Sequence, residues 1–159
     1  GMSVAIGAAL SKKLNGDKHL VYSLHGDGEL QEGQNWEAMM FAAGKKVDNL
    51  ICTVDYNGQQ IDGATKDVMP LGNLKKKFKA FGWEVVSIKE GNDIEAIVKG
   101  MRKAKGKTGQ GKPVCVLLHT VMGHGVDFMM HTHAWHGKAP NNEQLAKALE
   151  QNPVTLGDY

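Results

Sequence analysis

Apolar and polar residues follow one another along this chain in blocks that predict strands and helices in turn. Two apolar blocks, residues 20–24 and 50–54, each end beside Gly, Asp or Asn and are predicted to form buried parallel strands. The apolar residues between them recur at the i, i+3, i+4, i+7 spacing of an amphipathic helix: Trp36, Met39, Met40 and Ala43. Because open α/β sheets bind ligands at the carboxyl ends of their strands, the residues that follow these two blocks are the first candidates for chemistry.

The rest of the chain continues this alternation. Its pattern predicts helices over 4–14, 74–81 and 142–150, strands over 84–88 and 114–118, and loops over 58–72 and 123–140. A further helix is predicted to begin at the N-cap Asn92 and to bury one apolar face: Ile94, Ile97, Val98 and Met101. The prediction is therefore one α/β domain over 1–150, a three-layer parallel sheet with helices on both faces, followed by a tail over 151–159.

Composition agrees with one globular domain and argues against several classes of function. The chain has 159 residues, of which 42% are hydrophobic and 23% charged, and its net charge is +2. So small a charge does not favour binding to nucleic acid or to a membrane surface, and no apolar run reaches the roughly 20 residues that cross a bilayer. Cys52 and Cys115 lie in predicted strands, so we expect buried free thiols and, without a recognisable leader, a reducing cytoplasmic location.

Polar residues that suit a metal and a phosphate follow both of the first two strands. Gly26-Asp27-Gly28 closes the first strand, and Asn57, thirty positions after Asp27, closes the second. Magnesium is usually held by one or two carboxylates together with phosphate oxygens and water, and Asp27 and Asn57 offer a carboxylate and an amide oxygen. Gly26 and Gly28 would let backbone N–H groups approach a phosphate closely. Taken alone, this turn is equally typical of an ordinary strand-to-helix connection with Asp27 as the helix N-cap.

Longer blocks around these residues make the pattern specific. Residues 26–38 read GDGELQEGQNWEA and residues 50–63 read LICTVDYNGQQIDG. A third block reads GHGV over 123–126 and continues as WHGKAP over 135–140. In this order and spacing, the three blocks resemble the thiamine diphosphate-binding domain of transketolases. The resemblance extends from Gly1 to about residue 149 and covers only the later part of that domain, so we expect a fragment, from a short reading frame or by design.

The resemblance implies a ligand set for the cofactor. Thiamine diphosphate would be anchored through Mg²⁺ (or Ca²⁺), with Asp27, Asn57 and the main-chain carbonyl of Gln59 as the metal ligands. Gly26 and Gly28 would lie against the diphosphate. Because a carbonyl serves at position 59, the identity of that side chain would matter little.

Four further residues receive roles from the same resemblance, each beside a simpler explanation. Ile61 would pack on the thiazolium ring, or else be a generic core contact. His136 would be the catalytic residue, near the diphosphate and the substrate, or else a histidine of a surface loop. Glu32 and Glu37 would lie at the dimer interface, or else be solvated charges on a helix.

One segment departs from the family. Relatives have an acidic residue followed by polar ones where this chain has Met130, His131, Thr132 and His133. His131, His133 and His136 together could suggest a transition metal such as zinc, but flexible loops collect histidines without binding metals. The departure bears on substrate recognition by this loop.

The implied activity is the transfer of a two-carbon ketol unit from a ketose phosphate to an aldose phosphate. Deoxyxylulose phosphate synthase and decarboxylating dehydrogenases share the Gly-Asp-Gly to Asn signature, but the blocks at 30–33 and 135–137 favour transketolase. The glutamate that activates the cofactor and several substrate-binding histidines belong to parts of transketolase that this chain lacks. We therefore expect no turnover by the chain alone, a companion subunit or missing domains as partner, and a homo-oligomer. The alternative is a non-catalytic remnant or assembly subunit that binds a partner through an uncovered sheet edge.

Overall fold

A parallel sheet forms the centre of the structure and carries helices on both faces. The computed structural model describes residues 1–153. In chain order its elements are α1 (Met2–Leu14), β1 (Val21–Gly26), α2 (Gly33–Gly44), β2 (Leu50–Asp55), β3 (Gln59–Gln60), β4 (Gly63–Ala64), α3 (Thr65–Val68), α4 (Leu74–Ala80), β5 (Glu84–Ile88), α5 (Ile94–Lys105), β6 (Val114–Leu118) and α6 (Asn142–Gln151). The predicted fold class is confirmed. The predicted tail begins within the last turn of α6, and most of it lies outside the described residues.

The order of strands in the sheet differs from their order in the chain. The four long strands are all parallel and follow the order β1-β2-β6-β5. Gly26 at the end of β1 lies opposite Asp55 at the end of β2, which in turn lies opposite Leu118 at the end of β6. The carboxyl ends of three strands therefore meet at one edge of the sheet.

Two hydrophobic cores hold the layers together, one on each face of the sheet. On the first face α1, α2 and α4 bury residues such as Met39 and Phe78. The Phe78 ring packs edge-on against Trp83 at 5.5 Å, and the Trp83 indole N–H donates to the carbonyl of Met39 at 3.0 Å. On the second face α5 covers a smaller core that contains Ile51 and Val116. β2 contributes to both cores because successive side chains point to opposite faces.

The prediction of a fully buried first strand was wrong. Tyr22 and Leu24 of β1 are 53% and 70% exposed, whereas β2 is buried along nearly its whole length. β1 ends the row of strands, and the helix of the second face, α5, packs on β5 and β6 instead. The apolar run of β1 is therefore covered on one face only.

The predicted apolar face of α2 is correct except at Met40, since Met39 is buried and Trp36 and Ala43 pack against the core. Met40 is 57% exposed, and the buried residues of the helix are Asn35, Ala38, Met39 and Ala42. The Asn35 amide donates to the carbonyl of Glu29 at 2.6 Å, and the Trp36 indole donates to the carbonyl of Leu30 at 2.9 Å. These two bonds to the turn after β1 set the rotation of α2.

The predicted start of α5 was wrong, and its predicted buried face was correct only in part. Asp93, rather than Asn92, caps the helix by accepting from the backbone N–H of Glu95 at 3.1 Å. Ile94 and Val98 are exposed, whereas Ile97 and Met101 are half-buried beside the buried Gly100 and Ala104. A Cβ at Gly100 would lie 2.2 Å from Cδ1 of Ile88, so the helix approaches the sheet through its smallest residues.

Three smaller findings complete the fold. The predicted loop 58–72 contains the hairpin β3–β4 and the single helical turn α3. Cys52 and Cys115 are buried free thiols, as predicted, and burial raises the pKa of the Cys52 thiol to about 12. Over residues 1–153, none of the helices has the length and apolar character that a membrane span requires.

Candidate cofactor anchor

The Asp27 carboxylate joins the two segments that follow β1 and β2. Its backbone N–H continues the strand pairing by donating to the carbonyl of Asp55 at 3.1 Å. The side chain is fully buried, and its two oxygens accept from the backbone N–H groups of Gly28 at 3.0 Å and Gly58 at 2.8 Å. Both strand ends are thus held by one anionic group.

Burial makes this carboxylate hard to ionise. Loss of water contacts raises the pKa of Asp27 to about 6, and the nearby charge of Asp55 acts in the same direction. The N–H groups of Gly58 and Gly28 oppose this rise without cancelling it. A cation placed against Asp27 would favour the ionised form, so the site is electrostatically suited to a positive ligand.

Asn57 is fixed at both ends of its amide. Its oxygen accepts from the backbone N–H of Gln59 at 2.8 Å, and its nitrogen donates to Oδ2 of Asp55 at 3.0 Å. The other oxygen of Asp55 accepts from the hydroxyl of Thr120. Sequence reasoning missed Asp55 and Thr120, although each lies at or just after the end of a predicted strand, the edge at which open α/β sheets bind ligands.

Close backbone approach explains one of the two glycines beside Asp27. A Cβ at Gly28 would lie 2.5 Å from Cβ of Gln60, whereas a Cβ at Gly26 would meet no atom within 4 Å. Gly58 has a φ of +75°, a conformation that favours glycine, and it turns the chain from β2 into the hairpin β3–β4. The hairpin therefore packs directly on the Gly-Asp-Gly turn.

A groove opens at the carboxyl edge beside these residues. It has a volume of about 530 Å³, and its walls include Asp55, Asn57, Thr120, Met122 and His124. The loop that begins after β6 thus contributes one side of the groove. Apolar side chains, an imidazole and several oxygen-bearing side chains therefore line the same space.

The structure brings together only part of the predicted set. Asp27 accepts from Gly28 and Gly58, and Asn57 accepts from Gln59. Asp27 and Asn57 each donate to an oxygen of Asp55, which links the two sets. Ile61 is 63% exposed after the first strand of the hairpin, so it is not the generic core contact that was the alternative. His136 is exposed, and no hydrogen bond from its side chain to Asp27 or Asn57 occurs within residues 1–153.

The loop that carries His136 is held by aromatic contacts. The Trp135 indole donates to the carbonyl of Phe128 at 2.9 Å, and the two rings pack edge-on at 5.3 Å. The ammonium group of Lys138 lies 5.1 Å from the centre of the Trp135 ring. His131 adopts a φ of +59°, which is uncommon for a residue with a side chain. The part of the loop next to His136 is therefore held through Trp135.

The two glutamates predicted at an interface are exposed on or beside α2. Glu32 accepts from the amide of Gln34. Glu37 borders a groove of about 640 Å³ between α1 and α2, together with Leu10 and Phe41. Neither glutamate takes part in the cluster around Asp27.

The oxygens at the sheet edge suit a hard divalent cation only as part of a larger ligand set. Within residues 1–153 there is no group of three or more His, Cys, Asp or Glu side chains that could hold a metal ion. The edge instead offers the carboxylate of Asp27 and the amide oxygen of Asn57, and each oxygen retains lone pairs beyond its present hydrogen bonds. Magnesium with one carboxylate and several phosphate or water ligands needs no more from the protein. The donors therefore fit a metal that a diphosphate helps to hold.

Comparison with known proteins identifies the family. Residues 6–154 match the family model for the transketolase, thiamine diphosphate binding domain. The chain is 41% identical over 151 residues to a 6-deoxy-6-sulfo-D-fructose transketolase subunit of Clostridium sp. (strain MSTE9), covering 95% of this chain and 54% of that protein. It is 42% identical over 151 residues to one of the apulose-4-phosphate transketolase subunits of Actinobacillus succinogenes, covering 95% and 53%. The chain thus spans about half the length of these relatives.

Solved structures agree with this match. A transketolase from Pichia stipitis in complex with sedoheptulose-7-phosphate superposes with a TM-score of 0.86 at 28% identity, over 95% of this chain and 23% of that one. The transketolase of Campylobacter jejuni gives 0.78 at 33% identity, over 96% and 24%. The predicted resemblance is therefore confirmed, and the chain belongs to the transketolase family, within its thiamine diphosphate-binding domain.

Proposed function

We propose that this chain supplies the diphosphate and metal anchor of a transketolase-type enzyme. Asp27, Asn57 and the main-chain carbonyl of Gln59 would hold Mg²⁺, with Ca²⁺ as a substitute of similar chemistry. The observation that carries the proposal is the buried Asp27 carboxylate, which both strand ends share and whose pKa is raised to about 6. A divalent cation would compensate this buried charge, which within residues 1–153 is met by the N–H groups of Gly28 and Gly58.

The Gly-Asp-Gly turn would receive the diphosphate. Gly26 leaves open space on its side of Asp27, and Gly28 brings the backbone against the hairpin. When bound, thiamine diphosphate supplies the carbon nucleophile on which two-carbon transfer depends. The protein's share is to bind the diphosphate, to orient the cofactor and to exclude water from it.

Two exposed residues are assigned to the reacting end of the cofactor. Ile61 would pack on the thiazolium ring, and its exposure supports a role in ligand contact rather than in the core. His136 would contact the cofactor and the first carbons of the substrate as the catalytic histidine, since an imidazole exchanges protons near neutral pH. Its exposure leaves the ring free for such contacts.

The reaction would move a two-carbon ketol unit from a ketose phosphate to an aldose phosphate. Two relatives are named for 6-deoxy-6-sulfo-D-fructose and for apulose 4-phosphate, both sugars with an anionic group. We therefore assign to this enzyme a sugar carrying a phosphate or sulfonate. The two free thiols support a reducing compartment such as the cytoplasm.

A companion subunit would complete the enzyme. The relatives are themselves subunits, and this chain spans about half of their length. Glu32 and Glu37 would lie at the contact between copies of the enzyme, where exposed Phe41 and Val4 of α2 and α1 supply apolar surface. The chain alone would then bind the cofactor weakly and perform no turnover.

Calorimetric titration with Mg²⁺ and thiamine diphosphate tests the anchor. We expect heat of binding from the wild-type chain, loss of binding in Asp27→Ala, and retained binding in Asp67→Ala, whose carboxylate is exposed on α3. Equal binding by Asp27→Ala and wild type would refute the anchor. If neither chain binds, the proposal fails in favour of an assembly subunit, for which the exposed Tyr22 and Leu24 of β1 offer the docking surface.

A separate assay tests the need for a companion. The chain is incubated with thiamine diphosphate, Mg²⁺, xylulose 5-phosphate and ribose 5-phosphate, and product formation is followed. We expect no turnover by the chain alone, and robust product formation would overturn that expectation.

A further inference from the structure

The amide of Asn57 is oriented by the chemistry of its two neighbours. A carboxylate accepts hydrogen bonds and donates none, so Oδ2 of Asp55 at 3.0 Å selects the NH₂ end of the amide. The oxygen of Asn57 is thereby turned to the opposite side, where it accepts from the N–H of Gln59 at 2.8 Å. The Asn57 oxygen is the atom that the proposed function assigns to the metal.

Asp55 is itself held in one position. It ends the central strand β2, between Gly26 of β1 and Leu118 of β6. Its carbonyl accepts from the N–H of Asp27 at 3.1 Å, and the next residue, Tyr56, donates to the carbonyl of Leu118 at 2.8 Å. With the backbone fixed on both sides, the remaining freedom of Asp55 is the rotation of its carboxylate.

The hydroxyl of Thr120 removes that freedom. It donates to Oδ1 of Asp55, while Asn57 donates to Oδ2, so the carboxylate is bonded at both oxygens. Thr120 lies in an ordered part of the loop after β6. The carbonyl of the preceding His119 accepts from Gly91 at 2.9 Å, and the N–H of the following Val121 donates to the Asn92 side chain at 2.8 Å.

The alternative is that the Thr120 hydroxyl only satisfies the second oxygen of Asp55, and this explains less of the arrangement. Asp55 is only partly buried and borders the groove, so water would satisfy its second oxygen if solvation were the sole need. Thr120 and Asn57 border the same groove. The hydroxyl therefore ties the wall formed by the loop after β6 to the amide at the end of β2.

We propose that Asp55 and Thr120 are positioning residues of the cofactor anchor. They hold the Asn57 amide so that its oxygen, rather than its NH₂ group, is presented to the metal. This inference rests on the proposed function. Partners of metal ligands fix the orientation of those ligands, and their loss typically lowers metal affinity about 10- to 100-fold. We expect the loss of the Thr120 hydroxyl to fall at the lower end of that range, because Asp55 itself remains.

Variants of Thr120 separate the hydroxyl from the rest of the side chain. Thr120→Val removes the hydroxyl, and Thr120→Ser keeps it. Thr108→Val is the matched control, since the Thr108 hydroxyl donates to the carbonyl of Lys105 at 2.8 Å on the exposed end of α5. Thermal unfolding of all three establishes that they fold.

The first measurement needs no ligand. Hydrogen exchange of the Asn57 side-chain amide, followed by ¹⁵N NMR in the ligand-free chain, is expected to be about 10-fold faster in Thr120→Val. It is expected to stay at the wild-type rate in Thr120→Ser and in the Thr108 control. An unchanged rate in Thr120→Val would overturn the inference.

The second measurement is the affinity for Mn²⁺ with thiamine diphosphate present, by electron paramagnetic resonance. We expect about 10-fold weaker binding in Thr120→Val, with Thr120→Ser restored to wild type. Faster exchange with unchanged affinity would overturn the positioning role. If the wild-type chain binds no Mn²⁺, the proposed function fails, and the exchange measurement alone decides whether Thr120 orients Asn57.

Discussion

The strongest quantitative prediction concerns the effect of pH on the stability of the ligand-free chain. Asp27 is fully buried, and burial is the largest cause that raises its pKa from 3.8 to about 6. The folded state therefore binds this proton more tightly than the unfolded state does. The contribution of the protonated carboxyl is fully present below about pH 3.8 and is lost as the pH rises through about 6.

The size of the effect follows from the interval between the two pKa values. At about 1.36 kcal/mol for each pH unit, the interval from 3.8 to about 6 is worth roughly 3 kcal/mol of unfolding free energy. Asp27→Asn removes the titrating group. In the variant, the NH₂ group of the new amide faces one of the two N–H donors, Gly28 or Gly58. The lost hydrogen bond lowers the free energy of unfolding of the variant by the same amount at every pH.

Urea unfolding of wild type and Asp27→Asn at several pH values from about 4 to 7 provides the test. The quantity to compare is the difference in unfolding free energy between the two proteins at each pH. Asp48 and Glu84 have lowered pKa values, which make stability rise with pH, but they are present in both proteins and cancel in the difference. Between about pH 4 and 7 we expect the stability of wild type relative to the variant to fall by about 2.4 kcal/mol, which is most of the full effect. A flat difference, or one that rises with pH, would refute the buried-carboxylate reasoning.

Two further predictions do not depend on the ionisation of Asp27. Gly28→Ala is expected to destabilise the fold by about 1–3 kcal/mol, because its Cβ would lie 2.5 Å from Cβ of Gln60. Gly26→Ala, on the open side of Asp27, is expected to cost less than about 1 kcal/mol, and equal losses in urea unfolding would contradict this. Cys52 and Cys115 are expected to resist a thiol reagent in the native chain and to react after unfolding, since burial raises both pKa values. Rapid labelling of native protein would show that the core opens readily.

The strands were the part of the fold most accessible from sequence. Residues 84–88 and 114–118 match β5 and β6, and residues 50–54 match β2 with one residue added. The nearly continuous apolar runs at 50–54 and 114–118 suit strands with neighbours on both faces. The same reasoning failed for residues 20–24, because an apolar run does not reveal that its strand has an open face.

The buried faces of the helices were harder to predict from the sequence. A periodic pattern identifies apolar residues, whereas close packing against a sheet also depends on the size of the side chain. The pattern favoured four residues as the buried face of α5, of which Ile97 and Met101 are half-buried and Ile94 and Val98 are exposed. The structure buries Gly100 there, against Ile88, because only a residue without a side chain allows that approach. In α2, the polar Asn35 is buried since its amide has a carbonyl partner, which no hydrophobic pattern reports.

Some residues of the candidate site could likewise be predicted from the sequence, and others could not. A strand, a helix and a second parallel strand bring Asp27 and Asn57 to one edge, so that pair could be predicted from the order of elements. Thr120 could not, because β6 is the last strand in the chain yet lies beside β2 in the sheet. The position of β6 next to β2 in the sheet brings Thr120 to Asp55, although 65 positions separate them in the sequence. The order of strands within the sheet, which short-range patterns do not encode, therefore decides which side chains can orient the Asn57 amide.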